Sequence, residues 1–357
     1  MDKIESLLKE LTEAKGVAGY EGEVRSVIRR YLEPVGSITQ DKIGSLICKK
    51  GGGAEEPRVV LAGHMDEIGF MVKHVSKEGF IKFAPLGGWW DQVLLAHRVL
   101  IGTHKGDVVG VVGAKPPHLL SDEERKKYVE KKEMYIDIGA SSQQEVEEAG
   151  VRIGDPIVPI SEFTILANPK RYMAKAFDDR VGCALTIALM QAFANRSHPN
   201  TLFGVATVQE EVGLRGAATS VELVNPDVAI VLEVDIAGDV PGIKPEETPI
   251  KLGGGPVLLA LDARMIPNLK LRDLVIDIAK KSGTPLQLSA VEGGATDGGP
   301  IHLHKIGVPT VVIAVPTRHI HCHNAIMRRD DFDRAVELVT ALIERLDKGT
   351  VAGLTSF

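Results

Sequence analysis

The sequence predicts an α/β fold, in which a mixed sheet covered by helices is interrupted by a small β-rich domain. Helices and strands alternate up to about residue 68 and again after about residue 164, which favours a mostly parallel sheet with helices on its faces. Between these parts, short β-rich runs dominate. We therefore predict one α/β domain made of residues 1–68 and 164–357, with an insertion over 69–163. The 357 residues, 44% apolar and 25% charged, suffice for two domains with ordinary cores.

The first 68 residues predict two helices, a hairpin and a buried strand. Apolar residues repeat at helical spacing over residues 2–15 and again from Val24 to Tyr31. A hairpin-like stretch follows, with Gly44 in its turn. The run from Arg58 to Ala62 is short and apolar, so we expect a buried strand that ends beside His64.

The insertion is predicted to be a small barrel or sandwich. Short runs such as Phe80–Phe83 and Val108–Val112 recur along it, separated by turn residues such as Gly87-Gly88 and Pro116-Pro117. Regularly spaced short strands without long helices are typical of such domains. The charge-dense stretch from Glu123 to Lys132 is expected to lie on the solvated surface.

The C-terminal part is predicted to complete the α/β domain. The predicted strands are residues 201–208, 228–234 and 310–315, and the predicted helices are residues 180–194, 215–223, 268–281 and 330–347. Ligands of open α/β sheets bind outside the carboxyl ends of the strands. The residues that follow these strands are therefore the first place to look for a site.

Charge and cysteine content narrow the class of protein. A net charge of −6 and a pI of about 6.0 favour neither nucleic acid nor an anionic membrane as a partner. Cys48, Cys183 and Cys322 are few and far apart, which fits a reducing compartment. The N-terminus does not read as a signal peptide, and no apolar run approaches the ~18 residues of a membrane span. We expect a cytoplasmic protein.

Two acidic or histidine pairs stand where the chain leaves or enters predicted elements. His64 and Asp66 follow a strand, and their spacing of two places both side chains on one side of an extended chain. They suit a metal ligand with a carboxylate on its other N–H, or a capped strand-end histidine. Asp178-Asp179 precede a helix, so they could bind a cation or simply cap that helix.

Two further acidic clusters close the next predicted strands. Glu210 and Glu211 end one strand, and adjacent carboxylates are costly there unless a cation or a shared proton compensates; the alternative is a solvated strand end. Glu233 and Asp235 end another, with Asp239 after them. These positions again lie at the carboxyl edge of the predicted sheet.

Three histidines complete the set of candidates. His319, His321 and His323 stand two apart after the last predicted strand, and their spacing alone does not say which of them is a ligand. A site with two histidines and three or four carboxylates suits zinc, cobalt or manganese. The clusters together therefore predict a divalent-metal centre.

Several of these motifs resemble one family. GHMDEIGFMV, AFDDRVG, TVQEEVGLRGA, VDIAGD and PTRHIH resemble the tetrahedral (TET) metallo-aminopeptidases, which include glutamyl and deblocking aminopeptidases and some members labelled endoglucanases. The likeness runs along nearly the whole chain, including GGWW and KPPH in the insertion. It implies a zinc-peptidase-like catalytic domain over residues 1–68 and 164–357. It also implies a PDZ-like β-barrel over 69–163 that makes dimer contacts.

The resemblance assigns the metal ligands. It implies two divalent ions in each subunit, with zinc expected and cobalt or manganese also suitable. His64 and Asp235 would bind one ion, Glu211 and His321 the other, and Asp178 would bridge the two. The family builds twelve-subunit tetrahedral shells from dimers, so the same homo-oligomer is expected.

The resemblance also assigns the chemistry. The expected reaction removes residues from peptides with a free N-terminus, with a hydroxide bridging the metals as nucleophile. Glu210 would be the general base, Asp66 would orient His64, and a cis peptide would follow Asp178. The chain departs from the family pattern at His319, where tyrosine is common, and at Ala295, where glycine is usual.

Two alternative functions are a β-1,4-glucan hydrolase and a metal-storing or scaffold protein. A β-1,4-glucan hydrolase needs two carboxyl groups facing each other across a sugar, ~5–5.5 or ~6.5–9.5 Å apart. Glu210 and Glu211 are neighbours and would point apart on a regular strand, and an aromatic content of 4% is thin for a sugar groove. A metal-storing or scaffold protein would give Glu210 no role. The preferred N-terminal residue stays open, because candidates such as Asp297 and Arg318 do not decide it.

Overall fold

A computed structural model describes residues 1–356 and contains two β-structures. One is an eleven-stranded mixed sheet and the other is a closed six-stranded barrel. The sheet strands are β1 (Ser37–Gln40), β2 (Leu46–Lys50), β3 (Arg58–His64), β10 (Thr164–Ile165), β11 (Arg171–Ala174), β12 (Thr201–Thr207), β13 (Val228–Ile236), β14 (Val257–Leu261), β15 (Gln287–Ala290), β16 (Thr310–Arg318) and β17 (Ala325–Arg328). The barrel strands are β4 (Gly69–Val75), β5 (Ile81–Leu86), β6 (Arg98–Thr103), β7 (Gly106–Gly113), β8 (Tyr135–Asp137) and β9 (Pro156–Pro159).

Helices cover both faces of the large sheet. They are α1 (Lys3–Glu13), α2 (Gly22–Leu32), α4 (Phe177–Ala192), α5 (Arg215–Val224), α6 (Leu269–Ser282), α7 (Gly298–His302), α8 (Arg329–Arg345) and α9 (Lys348–Gly353), whereas the short helix α3 (Gln143–Glu148) belongs to the barrel domain. Helix α4 packs on β3 and β13 from one side, and α5 and α7 pack on β12 and β13 from the other. The predicted α/β fold with a β-barrel insertion is confirmed. Over residues 1–356, none of these helices combines the length and apolar character needed to cross a membrane.

The four central strands of the sheet are parallel. The strand order is β1-β2-β12-β3-β13-β16-β17-β11-β10, and the pairs β12–β3, β3–β13 and β13–β16 all run in the same direction. Their carboxyl ends therefore meet at one edge. Two of these strands are longer than predicted, since β13 continues to Ile236 and β16 to Arg318. Strands β13 and β16 stay paired as far as Ile236 and Thr317. This pairing extends both strands beyond the polar residues at which the sequence predicted them to end.

The barrel has its own core. Phe70, Trp89 and Ile101 are buried there, and the Trp89 ring stacks on Phe70 with centroids 4.9 Å apart. Because a buried indole needs a partner for its N–H, Trp89 donates from Nε1 to the Gly69 carbonyl at 3.1 Å. Trp90, the next residue, is 64% exposed. Trp89 is thus a core residue of the barrel, whereas Trp90 lies on the surface of this subunit.

A buried cluster of three charges supports the chain just after β3. The Lys175 Nζ atom lies 2.6 and 2.7 Å from the two carboxylate oxygens of Glu67, and Arg180 Nη2 lies 3.4 Å from one of them. All three side chains are at most 4% exposed. Arg180 also donates from Nε to the Met65 carbonyl at 2.6 Å. This cluster fixes the segment that leads from β3 towards the barrel.

Candidate active site

The predicted site residues converge at the carboxyl edge of the parallel strands. His64 is the last residue of β3, and Glu210 and Glu211 follow β12 by a few residues. His321 follows β16, and Asp178 lies at the start of α4, which packs against β3. Elements far apart in sequence thus deliver one cluster of side chains, as the positions of the strand ends predicted.

Asp178 lies between the two histidines. Its Oδ1 atom is 3.0 Å from His64 Nε2, and its Oδ2 atom is 3.2 Å from His321 Nε2. Glu211 Oε1 lies 3.3 Å from the same His321 nitrogen. The cis peptide predicted between Asp178 and Asp179 is present. One carboxylate therefore faces a histidine with each of its oxygens.

Asp179 supports this cluster through hydrogen bonds from the backbone. Its carboxylate is fully buried and accepts hydrogen bonds from the backbone N–H groups of His64 at 3.1 Å and Gly182 at 2.8 Å. A Cβ atom at Gly182 would lie 2.2 Å from both Asp179 Oδ2 and the Leu232 carbonyl oxygen. Only glycine fits at this contact, which lets α4 approach the strand ends closely.

The structure brings Glu233, rather than Asp235, to His64. Glu233 Oε1 lies 3.8 Å from His64 Nε2. The pairing of β13 with β3 ends at Val231 and Ala62, so two residues further on Glu233 is level with His64. Asp235 lies ~7 Å beyond along the strand. Glu233 is thus the strand-end acid that the structure places beside His64, whereas binding of a metal ion by Asp235 stays a prediction.

Asp235 is buried away from this cluster. Its Oδ1 atom accepts a hydrogen bond from the Ile236 backbone N–H at 2.8 Å, and Oδ2 has no hydrogen-bond partner within residues 1–356. Burial raises its pKa above the ordinary aspartate value. The sequence marks Glu233 as a strand-end acid, whereas the motif resemblance assigns the metal ligand to Asp235, two residues later.

Asp66 holds the loop after β12 and also lies beside the His64 ring. Its carboxylate accepts from the backbone N–H groups of Glu210 at 2.9 Å and Glu211 at 3.1 Å. His64 Nδ1 lies 2.9 Å from the Asp66 main-chain carbonyl oxygen and 3.6 Å from its carboxylate. The prediction that Asp66 orients His64 thus stands beside a second role, which is to position the two glutamates.

Glu21 supports the same loop and was not a predicted site residue. Its buried Oε1 atom accepts from the Gln209 backbone N–H at 3.1 Å and from the Gly19 N–H at 2.7 Å. Gln209 has a left-handed φ of 57°. Glu21, which directly precedes α2, therefore holds the turn before Glu210 in place. No sequence signal distinguished Glu21 from the many exposed glutamates of the chain.

Asp297 is a further buried carboxylate that sequence reasoning left without a role. It accepts a hydrogen bond from the Thr207 hydroxyl at the end of β12, and its other oxygen has no hydrogen-bond partner within the described residues 1–356. Burial raises the pKa of Asp297 to about 6. Its place in the GGATD loop, on the α7 side of the sheet, was the available signal.

Of the three spaced histidines, His321 joins the cluster. His319 is exposed, and His323 is buried against the His97 ring with centroids 3.8 Å apart. Burial and the neighbouring His97 lower the pKa of His323 to about 3. His319 and His321 both have left-handed φ angles, 58° and 59°. The segment is therefore not extended, so the alternation that would turn all three side chains one way does not hold.

Protonation of the two clustered histidines reflects their acidic surroundings. Burial opposes the charged form of His64, but the carboxylates of Glu210 and Asp178 outweigh it and raise the pKa of His64 well above its ordinary value. Burial also disfavours the charged form of His321, yet Asp178 and Glu211 raise its pKa to about 11. Each histidine therefore sits where a positive charge is strongly favoured.

The pKa values of the carboxylates reflect the same excess of acidic groups in the cluster. Burial raises the pKa of Glu210 and of Glu233 well above the ordinary glutamate value. Asp178 is the exception: although burial opposes its ionisation, hydrogen bonds from His321 and His64 lower its pKa. Buried acids whose neighbours are mostly other acids need a cation or protons to coexist.

The donor set fits divalent metal ions. His64, Glu210 and Glu233 place ligand atoms within 4.8 Å of one another, and so do His64, Asp178 and Glu211. Over residues 1–356, no lysine or arginine forms an ion pair with these four carboxylates. Buried imidazole and carboxylate groups without a protein cation are the ligand set that zinc and similar ions take.

Comparison with known proteins identifies the family. The M42 glutamyl aminopeptidase family matches residues 44–338. The chain is 43% identical over 353 residues to the putative aminopeptidase FrvX of Escherichia coli, covering 98% of each. It is 34% identical to a glutamyl aminopeptidase of Lactococcus lactis, covering 98% of each. It is also 35% identical to a lysyl aminopeptidase of Pyrococcus furiosus, covering 95% of this chain and 96% of that one.

Solved structures agree. A TET aminopeptidase from the marine sediment archaeon Thaumarchaeota archaeon SCGC AB-539-E09 superposes with a TM-score of 0.97 at 51% identity, covering 99% of each chain. The TET1 peptidase of Pyrococcus horikoshii, which can assemble into a tetrahedron or a large octahedral shell, gives 0.87 at 32%, covering 96% and 100%. A Thermotoga maritima protein described as an endoglucanase gives 0.78 at 30%, covering 98% and 99%. This chain belongs to the M42 glutamyl aminopeptidase family and is a peptide-hydrolysing enzyme.

Proposed function

We propose that the enzyme is a two-metal aminopeptidase that removes residues from the free N-terminus of peptides. The observation that carries this proposal is Asp178, which offers one carboxylate oxygen to the neighbourhood of His64 and the other to that of His321. His64, Asp178 and Glu233 would hold one ion, and Asp178, Glu211 and His321 the other. This differs from the sequence assignment only in replacing Asp235 by Glu233.

Charge balance supports two ions. Asp178, Glu211 and Glu233 together carry −3 when ionised, and two divalent cations with one hydroxide would carry +3, so the charges would cancel. The raised pKa values of His64 and His321 show that the pocket favours added positive charge at these ring nitrogens. When bound, the ions supply Lewis acidity and lower the pKa of water from 15.7 towards 7. Zinc fits the donors best, and cobalt or manganese also fit.

Glu210 is the proposed general base. Its Oε2 atom lies 3.8 Å from His64 Nε2, at the edge of the cluster, and the side chain is buried. Burial raises its pKa, which moves it towards the value at which a carboxylate accepts and returns protons efficiently near neutral pH. Glu210 would take a proton from the attacking water and hand it to the leaving amine. Asp66 would keep Glu210 in place through its backbone N–H.

Restriction to the N-terminus would follow from recognition of the free α-amine. The amine would bind one of the two ions or a nearby carboxylate, and an acetylated terminus lacks the basic nitrogen that either contact needs. We therefore expect little cleavage of N-acetylated peptides.

The decisive assay uses L-aminoacyl-p-nitroanilides with acidic, basic and aliphatic residues, each beside its N-acetyl form. Free substrates should be cleaved, acetylated ones should not, and a chelator should abolish the rate until zinc or cobalt is restored. Activity that survives the chelator, or equal cleavage of acetylated substrates, would contradict the proposal. Soluble cellulose run in parallel tests the glucanase alternative raised by the endoglucanase-labelled relative.

Assembly and location form the remaining part of the proposal. We infer a dodecamer built from dimers, because a relative covering 96% of this chain assembles into closed shells. Sedimentation at enzyme concentrations should then give one large species. The cysteines are unpaired, and Cys48 and Cys183 are buried as thiols, which supports the cytoplasm as the compartment.

A further inference from the structure

One loop of the barrel domain reaches the active site. Residues 87–91 form the first part of the connection from β5 to β6, and a Cβ atom on Gly87 would lie 2.9 Å from Glu211 Oε2 and 2.4 Å from Ile68 Cγ2. Gly87 has a φ of 84°. The loop therefore packs against the acidic cluster more closely than any side chain would allow.

The same loop fixes the ring of His321. The Gly88 carbonyl oxygen lies 2.7 Å from His321 Nδ1, so this nitrogen is the donor. The Nε2 atom then points its free electron pair at the region between Asp178 and Glu211. Outer hydrogen bonds of this kind set the tautomer and orientation of a metal-binding histidine.

Lys131 holds the loop in place. It lies in the segment between β7 and β8, and its Nζ atom donates to the Trp89 carbonyl at 2.5 Å and forms an ion pair with Asp91. Its backbone N–H donates to Asp91 Oδ2 at 2.9 Å. These contacts hold Trp89 and Asp91, the first of which follows Gly88 directly in the chain.

We propose that Lys131 is a positioning residue of the metal centre, clamping residues 87–91 so that the Gly88 carbonyl keeps His321 oriented. The inference rests on the proposed two-metal function. It assigns the barrel domain a part in building the active site, in addition to any part in subunit contacts. Lys131 itself does not reach the cluster, so its effect passes through the loop backbone.

The expected effect is on metal affinity. Loss of a group that orients a metal-binding histidine typically weakens binding 10–100-fold. Lys131 acts one step further out, so Lys131→Met should weaken binding of one of the two ions about tenfold. Lys131→Arg keeps a cationic donor and should restore most of the affinity. The second ion should be much less affected, because among the described residues His64 forms no hydrogen bond or ion pair with this loop and only the bridging Asp178 links the two ions.

The test measures dissociation constants for zinc and cobalt by competition with a chromophoric chelator, together with the visible spectrum of the cobalt-loaded enzyme. Lys132→Met is the matched control. Lys132 is 72% exposed and its Nζ atom pairs with Glu130 at 2.6 Å, so its loss removes the same charge without touching the loop. Lys131→Met should alter one affinity and the cobalt spectrum, whereas Lys132→Met should alter neither.

Three outcomes decide the matter. If wild-type enzyme binds no metal, the proposed function itself fails. If wild type binds two ions and Lys131→Met binds both equally well, the positioning role is overturned, and a lowered unfolding temperature alone would show a merely structural residue. Should Lys131→Met not fold, Asp91→Asn removes the facing charge instead. It should weaken the same ion, and wild-type affinity in that variant would overturn the inference.

Discussion

Replacing Glu67 with glutamine should destabilise the fold far more than removing a surface carboxylate. Glu67 is the only acid in a buried cluster with Lys175 and Arg180 over the residues described, and none of the three is more than 4% exposed. Arg180 would keep its bonds to backbone carbonyls, including that of Met65 at 2.6 Å. Lys175 would lose its ionic partner and keep only neutral acceptors, the glutamine amide oxygen and the Ala14 carbonyl at 3.4 Å.

The magnitude follows from the charge left on Lys175. Burial already lowers the pKa of Lys175, and Glu67 is the main group that opposes this effect. Without that carboxylate, the cheapest response is to lose the proton. Deprotonating a lysine of ordinary pKa at pH 7 costs about 4.6 kcal/mol, at 1.36 kcal/mol per pH unit. This bound agrees with the roughly 3–5 kcal/mol measured when one member of a buried ion pair is removed.

The deficit should shrink as pH rises. If Lys175 is neutral in the folded variant but protonated when unfolded, the unfolded state binds one more proton. Stability then rises with pH. The difference between variant and wild type should therefore fall by about 1.4 kcal/mol from pH 7 to pH 8. A Glu67 variant that simply lost packing would show no such slope.

Urea unfolding at fixed protein concentration measures the effect. With a slope of about 3 kcal/mol/M, a loss of 3–5 kcal/mol moves the midpoint down by roughly 1 to 1.7 M. Glu344→Gln is the control, since Glu344 pairs with Arg196 on the surface and both are more than a third exposed; it should cost about 1 kcal/mol or less. Equal midpoints for the two variants would refute the reasoning.

Four other variants test the site and the contact that supports it. Glu210→Gln should keep both metals by elemental analysis while kcat falls about 10²–10⁴-fold, the usual worth of a general base; a variant within tenfold of wild type would remove Glu210 from that role. Glu233→Ala should reduce metal content from two ions to one, whereas Asp235→Ala should leave two, and the reverse result would restore the sequence assignment. Gly182→Ala should cost about 1–3 kcal/mol in urea unfolding, since its methyl would lie 2.2 Å from the Leu232 carbonyl oxygen; unchanged stability would show that the helix can shift.

Apolar patterning was sufficient to predict most of the fold. Residues 201–208 and 310–315 were expected to be strands because they are continuous apolar runs, and both lie in the buried parallel core. The strand ends were less predictable. Glu233 and Asp235 are polar, yet β13 continues to Ile236 because β16 pairs with it that far. Pairing between distant segments is not written in the local pattern of either strand.

The register between β13 and β3 decides whether Glu233 or Asp235 lies beside His64, and the sequence does not give that register. Glu233 and Asp235 lie on one face of the strand and differ only in their distance along it. Which of them meets His64 depends on the alignment of β13 with β3, where Val231 pairs with Ala62. A shift of two residues would exchange them while leaving the apolar pattern intact. The motif resemblance could not supply that alignment.

The sequence was equally unable to predict hydrogen bonds to or from the backbone that join distant segments. The sequence indicated that Asp66 belongs near His64, but the bonds it accepts from the N–H groups of Glu210 and Glu211 join segments 144 and 145 residues apart. The same holds for the Gly88 carbonyl and His321, which are 233 residues apart. Residue types predict which groups can bind metal, whereas such contacts depend on the completed fold.

The order of the strands has a consequence for biosynthesis. The cluster draws on His64 near the beginning of the chain and on His321 near its end, and β16, the strand that leads to His321, is inserted beside β13 in the middle of the sheet. A nascent or truncated chain that stops before Thr310 lacks both that strand and one of the two histidines. The proposed metal centre can therefore be completed only after the last part of the chain has been synthesised.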